Sequence, residues 1–518
     1  GATRWTIFAN NNTINAYAGA TITGVGQSGN GALDVWEKAG ENNDNVAFNI
    51  YKNGENASDV TIFATIRYRE QETVFNIAQG MTANLAGTNA NINTIYGGLK
   101  VKGSGVLKLS DKNAYADTYG AGIKIDSGAT LMVNHVEALG SQNIVNNGTL
   151  ELDVGNENVT FDKVISGSGV VKVKTGTWKL TKTNYVGNNV LIESGAILDV
   201  SSDEARLFTT NNYLSSAVLT VNGTLITREW NYGESLGNLR HNDGAVVIDG
   251  GKVIFAQNSS SERYPKIGNE GATFEIAEGA VYTAQRGITG SGNLNVASGI
   301  LKLQGTSTIS GSMTIAKEAK VIVDSGESSA FAENLEESAG VNVNGTIEFL
   351  SSGMLYRSFA GNGVVSVKGD VAINNTGNNG KLTGLSRFKG SVIVDEGKTL
   401  TLTFWNNGYD IELSELEVNG SVTGNKGNGH ATTLNLTTTK LSGSGTISGV
   451  ETFTLADGAT LAGAVTVTGD VTVEGAVNVT HADEAGETVI TCANADAVAA
   501  KLIAPEGLKY VAENGVVK

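Results

Sequence analysis

One phrase recurs along this chain and constrains its fold more than any other feature: a Gly-x-Gly or x-Gly turn, then a short alternating strand of Val, Leu, Ile and Thr. In the clearest pair, Gly167-Ser168-Gly169 leads to Trp178-Lys179-Leu180 as Gly290-Ser291-Gly292 leads to Leu301-Lys302-Leu303, with apolar positions between them in matching places. Further Gly-x-Gly openings stand at Gly103, Gly361 and Gly443, irregularly spaced, and shorter units start at Gly128, Gly148, Gly195, Gly223, Gly271, Gly345, Gly397 and Gly458. Each strand is about five residues and alternates inside with outside, so it cannot bury its own apolar face. Stacking coil on coil solves that, because each strand then hydrogen-bonds to its counterparts above and below at roughly 4.8 Å. The glycine ahead of each strand is expected to supply the positive φ of a tight corner, and the many asparagines to accept the same left-handed conformation.

The pattern predicts an all-β chain, a β-solenoid of the right-handed parallel β-helix kind, with capping elements at both ends. Of 518 residues, 67 are Gly and 2 are Pro, and a central strand uses every N–H in the ladder, which proline cannot supply. A row of antiparallel β-sandwich domains is the competing reading; it expects linkers and more proline. The expected organisation is a strand-rich N-terminal cap or coupling region over 1–97, the solenoid over 98–490, and a C-terminal cap of short helix plus strands over 491–518. At about 20 to 25 residues per coil the solenoid would hold on the order of 16 to 19 coils.

Gly103-Ser104-Gly105-Val106-Leu107-Lys108-Leu109-Ser110, then Asn113-Ala114-Tyr115, then Ile123 through Val133 with Gly128-Ala129-Thr130-Leu131, resembles the autotransporter-associated β-strand repeat. Asn184-Tyr185 through Val200 repeats the second half of that pattern. The resemblance implies a secreted bacterial surface protein built as a β-helix, and it brings no catalytic residues. Autotransporter precursors end in an aromatic-rich membrane β-barrel, whereas the ending here is Gly515-Val516-Val517-Lys518. The start at Gly1-Ala2-Thr3 fits a mature product whose signal peptide has been removed.

A formal net charge of −16 repels nucleic acid and anionic lipid, so neither is expected as a partner. No run of 18 apolar residues occurs, and no membrane insertion of the chain is expected. The one cysteine, Cys492, excludes an internal disulfide and reads as a buried thiol.

Chemistry is sparse. His135, His241, His430 and His481 are scattered without metal-ligand spacing, no calcium-binding nonapeptide repeat occurs, and no phosphate or dinucleotide loop is present, so neither metal nor cofactor is expected. Asp199 with Asp203-Glu204, or Glu333 with Glu336-Glu337, would be the carboxylates of a polysaccharide lyase or hydrolase, but they read better as solvated loop charges. Trp178, Trp230 and Trp405 read as core or corner fillers more than sugar platforms. The segments 201–216 and 326–340 read as loops leaving one face, with Asp203-Glu204-Ala205-Arg206-Leu207 in the first and Phe331 with Leu335 in the second at helical spacing.

What remains are the edges. A solenoid leaves an open strand edge at each end, and an open edge invites another chain. The candidate self-assembly residues are Trp5, Phe8, Ile62, Phe63, Ile66, Tyr68 and Phe75 near the start and Leu508, Tyr510 and Val511 near the finish. At the finish, Asn494 is expected to N-cap a helix over Ala495–Leu502 stopped by Pro505, followed by a strand over Gly507–Val511. The expected function is an extracellular structural surface protein, not an enzyme, whose partner is itself in a filament or surface layer. The alternatives are an adhesin that binds glycans or cell-surface proteins, and a β-helix polysaccharide lyase or hydrolase.

Overall fold

The computed structural model describes residues 6–9, 13–23, 33–36, 48–63, 66–68, 73–86, 98–110, 122–140, 142–208, 217–230, 236, 245–325, 340–355, 357–375, 384–404, 409–426, 433–482 and 484–518. Among these the chain is nearly all strand, arranged in two compact units, Gly1–Ala256 and Gln257–Lys518. In both, strands stack in parallel on their equivalents one coil away, apart from an antiparallel hairpin at the end of the second, which makes a β-solenoid of about 16 turns in all. The only helices among the described residues are a 3₁₀ turn, Val136–Leu139, and an α-helix, Ala495–Ala499.

In the first unit the parallel stack starts at the first described strand. Thr6–Ala9, Ile14–Tyr17 and Thr21–Thr23 form one coil, and each pairs in parallel with a strand of the next: Leu33–Trp36, Phe48–Tyr51 and Val60–Phe63. Those pair onward with Ile66–Tyr68, Thr73–Ile77 and Thr82–Ala86, and Thr73–Ile77 then pairs with Leu99–Gly103. The described strands before residue 98 belong to the same parallel ladders as those after it. They escape the repeat phrase because their corners turn on one glycine, Gly19 at φ +80° and Gly80 at φ +75°, instead of a Gly-x-Gly.

The sequence repeat is a structural repeat. Val170–Leu180 and Leu294–Leu303 are long strands that round a corner at Gly176 (φ +74°) and Gly299 (φ +69°). Val171, Val173, Trp178 and Leu180 are buried in one, Leu294, Val296, Leu301 and Leu303 in the other. Each such side chain contributes about 1.5–3 kcal/mol of burial, and every coil adds several.

The Gly-x-Gly opening holds two glycines for two reasons. The first takes a positive φ, as at Gly167 (+104°) and Gly361 (+100°). The second does not; it has no room for a Cβ. At Gly169 a Cβ would run into the carbonyl oxygen of Gly148 one coil below, and at Gly363 into that of Gly345. Those carbonyls approach so closely because each accepts a bond from the residue after the glycine, Val170 N–H at 2.8 Å and Val364 N–H at 2.8 Å. Gly148, Gly223 and Gly345, expected at positive φ, belong to this second kind.

The asparagines also act differently from expectation. Among the described residues the only non-glycine at positive φ is Asn514, at 52°. At the corners, asparagine carboxamides bond to backbone that the ladder leaves unpaired. Asn143 Oδ1 accepts from Val164 N–H at 3.0 Å, Asn293 Oδ1 from Ser312 N–H at 2.9 Å, and Asn146 joins Gly148 N–H (3.1 Å) to Val170 C=O (2.9 Å). An unpaired polar group at such a corner would cost about 1–3 kcal/mol.

Of the excursions, 209–216 and 326–339 lie outside the described residues. Arg206–Phe208 is a strand paired in parallel with Thr183–Val186, not part of a helix. Leu207 and Phe208 are buried, and that burial keeps the segment in the stack.

Candidate functional site

The three strands of the first coil, Thr6–Ala9, Ile14–Tyr17 and Thr21–Thr23, each have a single strand neighbour among the described residues. A strand paired on one side only is a template for strand addition. Residues 6–23 contain no Asp, Glu, Lys, Arg or His in a chain that is 17% charged. On the middle strand Ala16 points inward and is buried, whereas Asn15 and Tyr17 are exposed. Asn15 ends an amide ladder: Asn76 Nδ2 donates to Asn49 Oδ1 at 3.0 Å, and Asn49 Nδ2 donates to Asn15 Oδ1 at 3.2 Å. Tyr17 is 54% exposed, its ring 5.7 Å from that of Tyr51 in the coil below.

The last coil is built on opposite lines. Its three strands are Val471–Val473, Val477–Val479 and Ile490–Thr491, and each is closed by a different element. The helix Ala495–Ala499 packs on the first, with Ala495 and Val498 buried. The two-residue strand Leu502–Ile503 pairs with the second in parallel and is followed by Pro505. The hairpin Ala512–Glu513/Val516–Val517 pairs with the third in antiparallel fashion, so the parallel register stops there. Asn514 (φ 52°) and Gly515 (φ 79°) form its turn, the Asn-Gly pair that tight hairpins favour.

Several expectations for this end need correction. The helix is shorter than expected and stops before Pro505, and Asn494 makes no side-chain cap. Its carboxamide instead bonds both backbone groups of Val471, accepting from N–H at 2.8 Å and donating to C=O at 3.0 Å. That fixes the helix to the coil beneath. Over Gly507–Val511 no strand is formed: a turn is closed by Leu508 N–H to Pro505 C=O at 3.0 Å, and Val511 exchanges backbone hydrogen bonds with Lys518 at 3.0 and 2.9 Å. Leu508 and Val511 remain exposed, at 48% and 46%, and Tyr510 is half-buried.

The other expected edge residues divide. Trp5 lies outside the described residues, and Phe8 is on the edge strand Thr6–Ala9. Ile66 and Tyr68 are on a strand of the third coil, at the opposite edge of the three-stranded sheet that begins with Thr6–Ala9. Ile62 and Phe75 are core: Phe75 stacks on Phe48 with ring centroids 4.6 Å apart. Phe63 is partly exposed in the second coil. Sequence reasoning chose large apolar residues; a second feature of the same region is that residues 6–23 carry no charge.

The residues weighed for chemistry take structural places. Asp199 accepts from Ser201 N–H (2.8 Å) and Oγ–H (2.6 Å), Asp203 pairs with Arg228 (3.1 Å) and Glu204 with Lys182 (3.0 Å). Glu333, Glu336, Glu337, Trp405, His241 and His430 lie outside the described residues. His135 Nδ1 accepts from Glu137 N–H at 3.2 Å at the start of the 3₁₀ turn, and His481 Nδ1 lies 3.2 Å from Leu461 C=O. Trp178 and Trp230 are fully buried; Trp178 Nε1 donates to Thr175 C=O at 3.2 Å. Cys492 is buried, and that burial pushes its thiol up to about 11, which keeps it protonated and unreactive at neutral pH. No group of three or more His, Cys, Asp and Glu able to hold a metal occurs among the described residues. No described helix is long and apolar enough to cross a membrane.

Neither a family model, nor a curated protein, nor a solved structure matches this chain.

Proposed function

We propose that this chain is a non-catalytic structural protein of the bacterial exterior, a β-solenoid that associates with its own copies through its first coil. The carrying observation is the contrast between the two terminal coils: the first is uncharged and paired on one side among the described residues, and the last is closed by helix, short strand and antiparallel hairpin. Edge strands meant to stay solitary are short, charged, proline-bearing or covered. The last coil has all four features and the first has no charge and no proline.

The exterior location rests on the resemblance of residues 103–133 and 184–200 to the autotransporter-associated repeat. Two measurements test the proposal. The purified 518-residue chain should gain mass with concentration in light scattering, and antibody against it should label unpermeabilised producing cells or their secreted material. A chain that stays monomeric throughout, or labelling only after permeabilisation, would overturn the corresponding half.

A further inference from the structure

We infer that the first coil pairs with the first coil of a second copy about a two-fold axis, so that association closes at a dimer instead of running on as a filament. This rests on the self-association proposed above. A filament needs two different complementary surfaces on each copy, whereas a two-fold dimer needs one surface that complements itself.

The last coil does not supply the second surface. A head-to-tail contact would have to continue three parallel ladders onto it, but the helix Ala495–Ala499 sits on Val471–Val473, and an antiparallel strand occupies Ile490–Thr491. The remaining strand, Leu502–Ile503, is two residues long and lies between Lys501 and Pro505. Five charged residues, Lys501, Glu506, Lys509, Glu513 and Lys518, surround this closure. Among the described residues, the first coil offers three uncharged strands that are each paired on one side.

The geometry of a two-fold contact follows from strand direction. Two first coils that meet edge to edge, one rotated by half a turn about an axis across the coil, run their strands antiparallel, a pairing at least as stable per residue as parallel. The strand on the axis pairs with itself, and the other two exchange partners. With Ile14–Tyr17 on the axis, Thr6–Ala9 meets the copy's Thr21–Thr23.

Residues directly opposite in a sheet share a face, so outward Asn15 and Tyr17 must meet outward residues, and inward Ala16 an inward one. The register centred on Ala16 places Ala16 opposite Ala16 and Asn15 opposite Tyr17, with Ile14 beyond the end of the copy's strand. It covers the exposed Tyr17 ring with the copy's Asn15. Each copy carries −16, yet residues 6–23 bring no like charges together at the contact, and repulsion between the flanks fades beyond about 8 Å at physiological salt.

The test uses the whole chain. In sedimentation equilibrium the mass should rise from 53.6 kDa to a plateau at twice that value, 2 × 53.6 = 107.2 kDa, and go no further. Growth past the dimer overturns the two-fold inference and leaves self-association standing; a monomer at every concentration overturns both.

A spin label on Tyr17→Cys should report one short distance between copies, and the same label on Val511→Cys none, since Cys492 is buried and stays unlabelled. A short distance at position 511 with none at 17 would overturn the assignment to the first coil. Asn15→Lys with Tyr17→Lys sets Lys against Lys across the axis and should weaken the dimer about 100-fold, with the circular dichroism spectrum unchanged. Undiminished association of that folded double variant would overturn the inferred contact.

Discussion

The first and last coils face the same physical problem and answer it differently. Among the described residues both end ladders of parallel strands, and both would expose rows of N–H and C=O groups if nothing were added. At the last coil the chain adds a helix, a two-residue strand and an antiparallel hairpin, ties them down with Asn494, and places five charges and Pro505 within its last eighteen residues. At the first coil an equal length of sequence, residues 6–23, holds no charge and no proline. Parallel pairing and the burial of alternate apolar residues are common to both. The difference lies in the protection of the edge, so edge protection is a separate choice from the coil itself.

The largest effect should come from stripping the protected end. A chain that stops at Ala493 loses the buried Ala495, Val498 and Val517 and uncovers Val471–Val473, Val477–Val479 and Ile490–Thr491. It should aggregate under conditions in which the full chain forms only small assemblies, as seen by light scattering. A truncated chain with unchanged assembly size would mean that the closure protects nothing.

The reverse change comes next. Asn15→Lys with Tyr17→Lys gives the first coil the charges that the last coil has, and self-association should fall about 100-fold while the thermal midpoint holds. A loss of melting temperature in step with association would show that these residues support the fold instead.

A smaller effect is expected within the closure. Asn494→Ala removes two hydrogen bonds to Val471 and leaves that backbone unsatisfied, for a loss of about 1–3 kcal/mol in denaturant unfolding. The same change at Asn15, an exposed amide, should alter stability by less than about 0.5 kcal/mol.

The smallest contrast is with pH. Burial pushes the Glu348 carboxyl up, but hydrogen bonds and the charges of Lys320 (2.9 Å) and Lys368 (3.3 Å) outweigh it and hold the group below its ordinary range. The bond from Lys302 does the same for Asp324 more simply. A lowered carboxyl contributes stability above its unfolded value, about 4.3 for Glu, and that contribution is lost as pH falls through the folded value. The unit Gln257–Lys518 should therefore weaken slightly in acid, and Glu348→Gln should flatten part of that slope. Association through residues 6–23, which hold no carboxyl, should persist over the same range.

The coil was legible because its signals are local and repeated. The pair Gly167–Leu180 and Gly290–Leu303 carries its buried positions in register, and the structure buries matching residues in both. Where reading failed, the cause was contact between coils, which one strand's sequence does not display. Gly169 and Gly363 look like turn glycines, but they are glycine because a carbonyl one coil below fills the space of a Cβ. Corner asparagines looked like left-handed residues and are backbone-bonding amides.

The closure was half legible. Its helix and strands were expected, but Gly507–Val511 read as a strand because Leu508 and Tyr510 flank Lys509 in alternation, and nothing local announces that the turn at Pro505 displaces the paired strand to Ala512–Glu513. At the start of the chain the search for apolar side chains favoured Ile62 and Phe75, which the stack buries. The proposed edge there is distinguished by the absence of charge from residues 6–23.

Hydrogen exchange at two protein concentrations addresses the contrast most directly. The account predicts that raising the concentration slows exchange at amides within residues 6–23 and leaves 490–518 unchanged. Slowing confined to 490–518, or no change at either coil while the assembly grows, would contradict it.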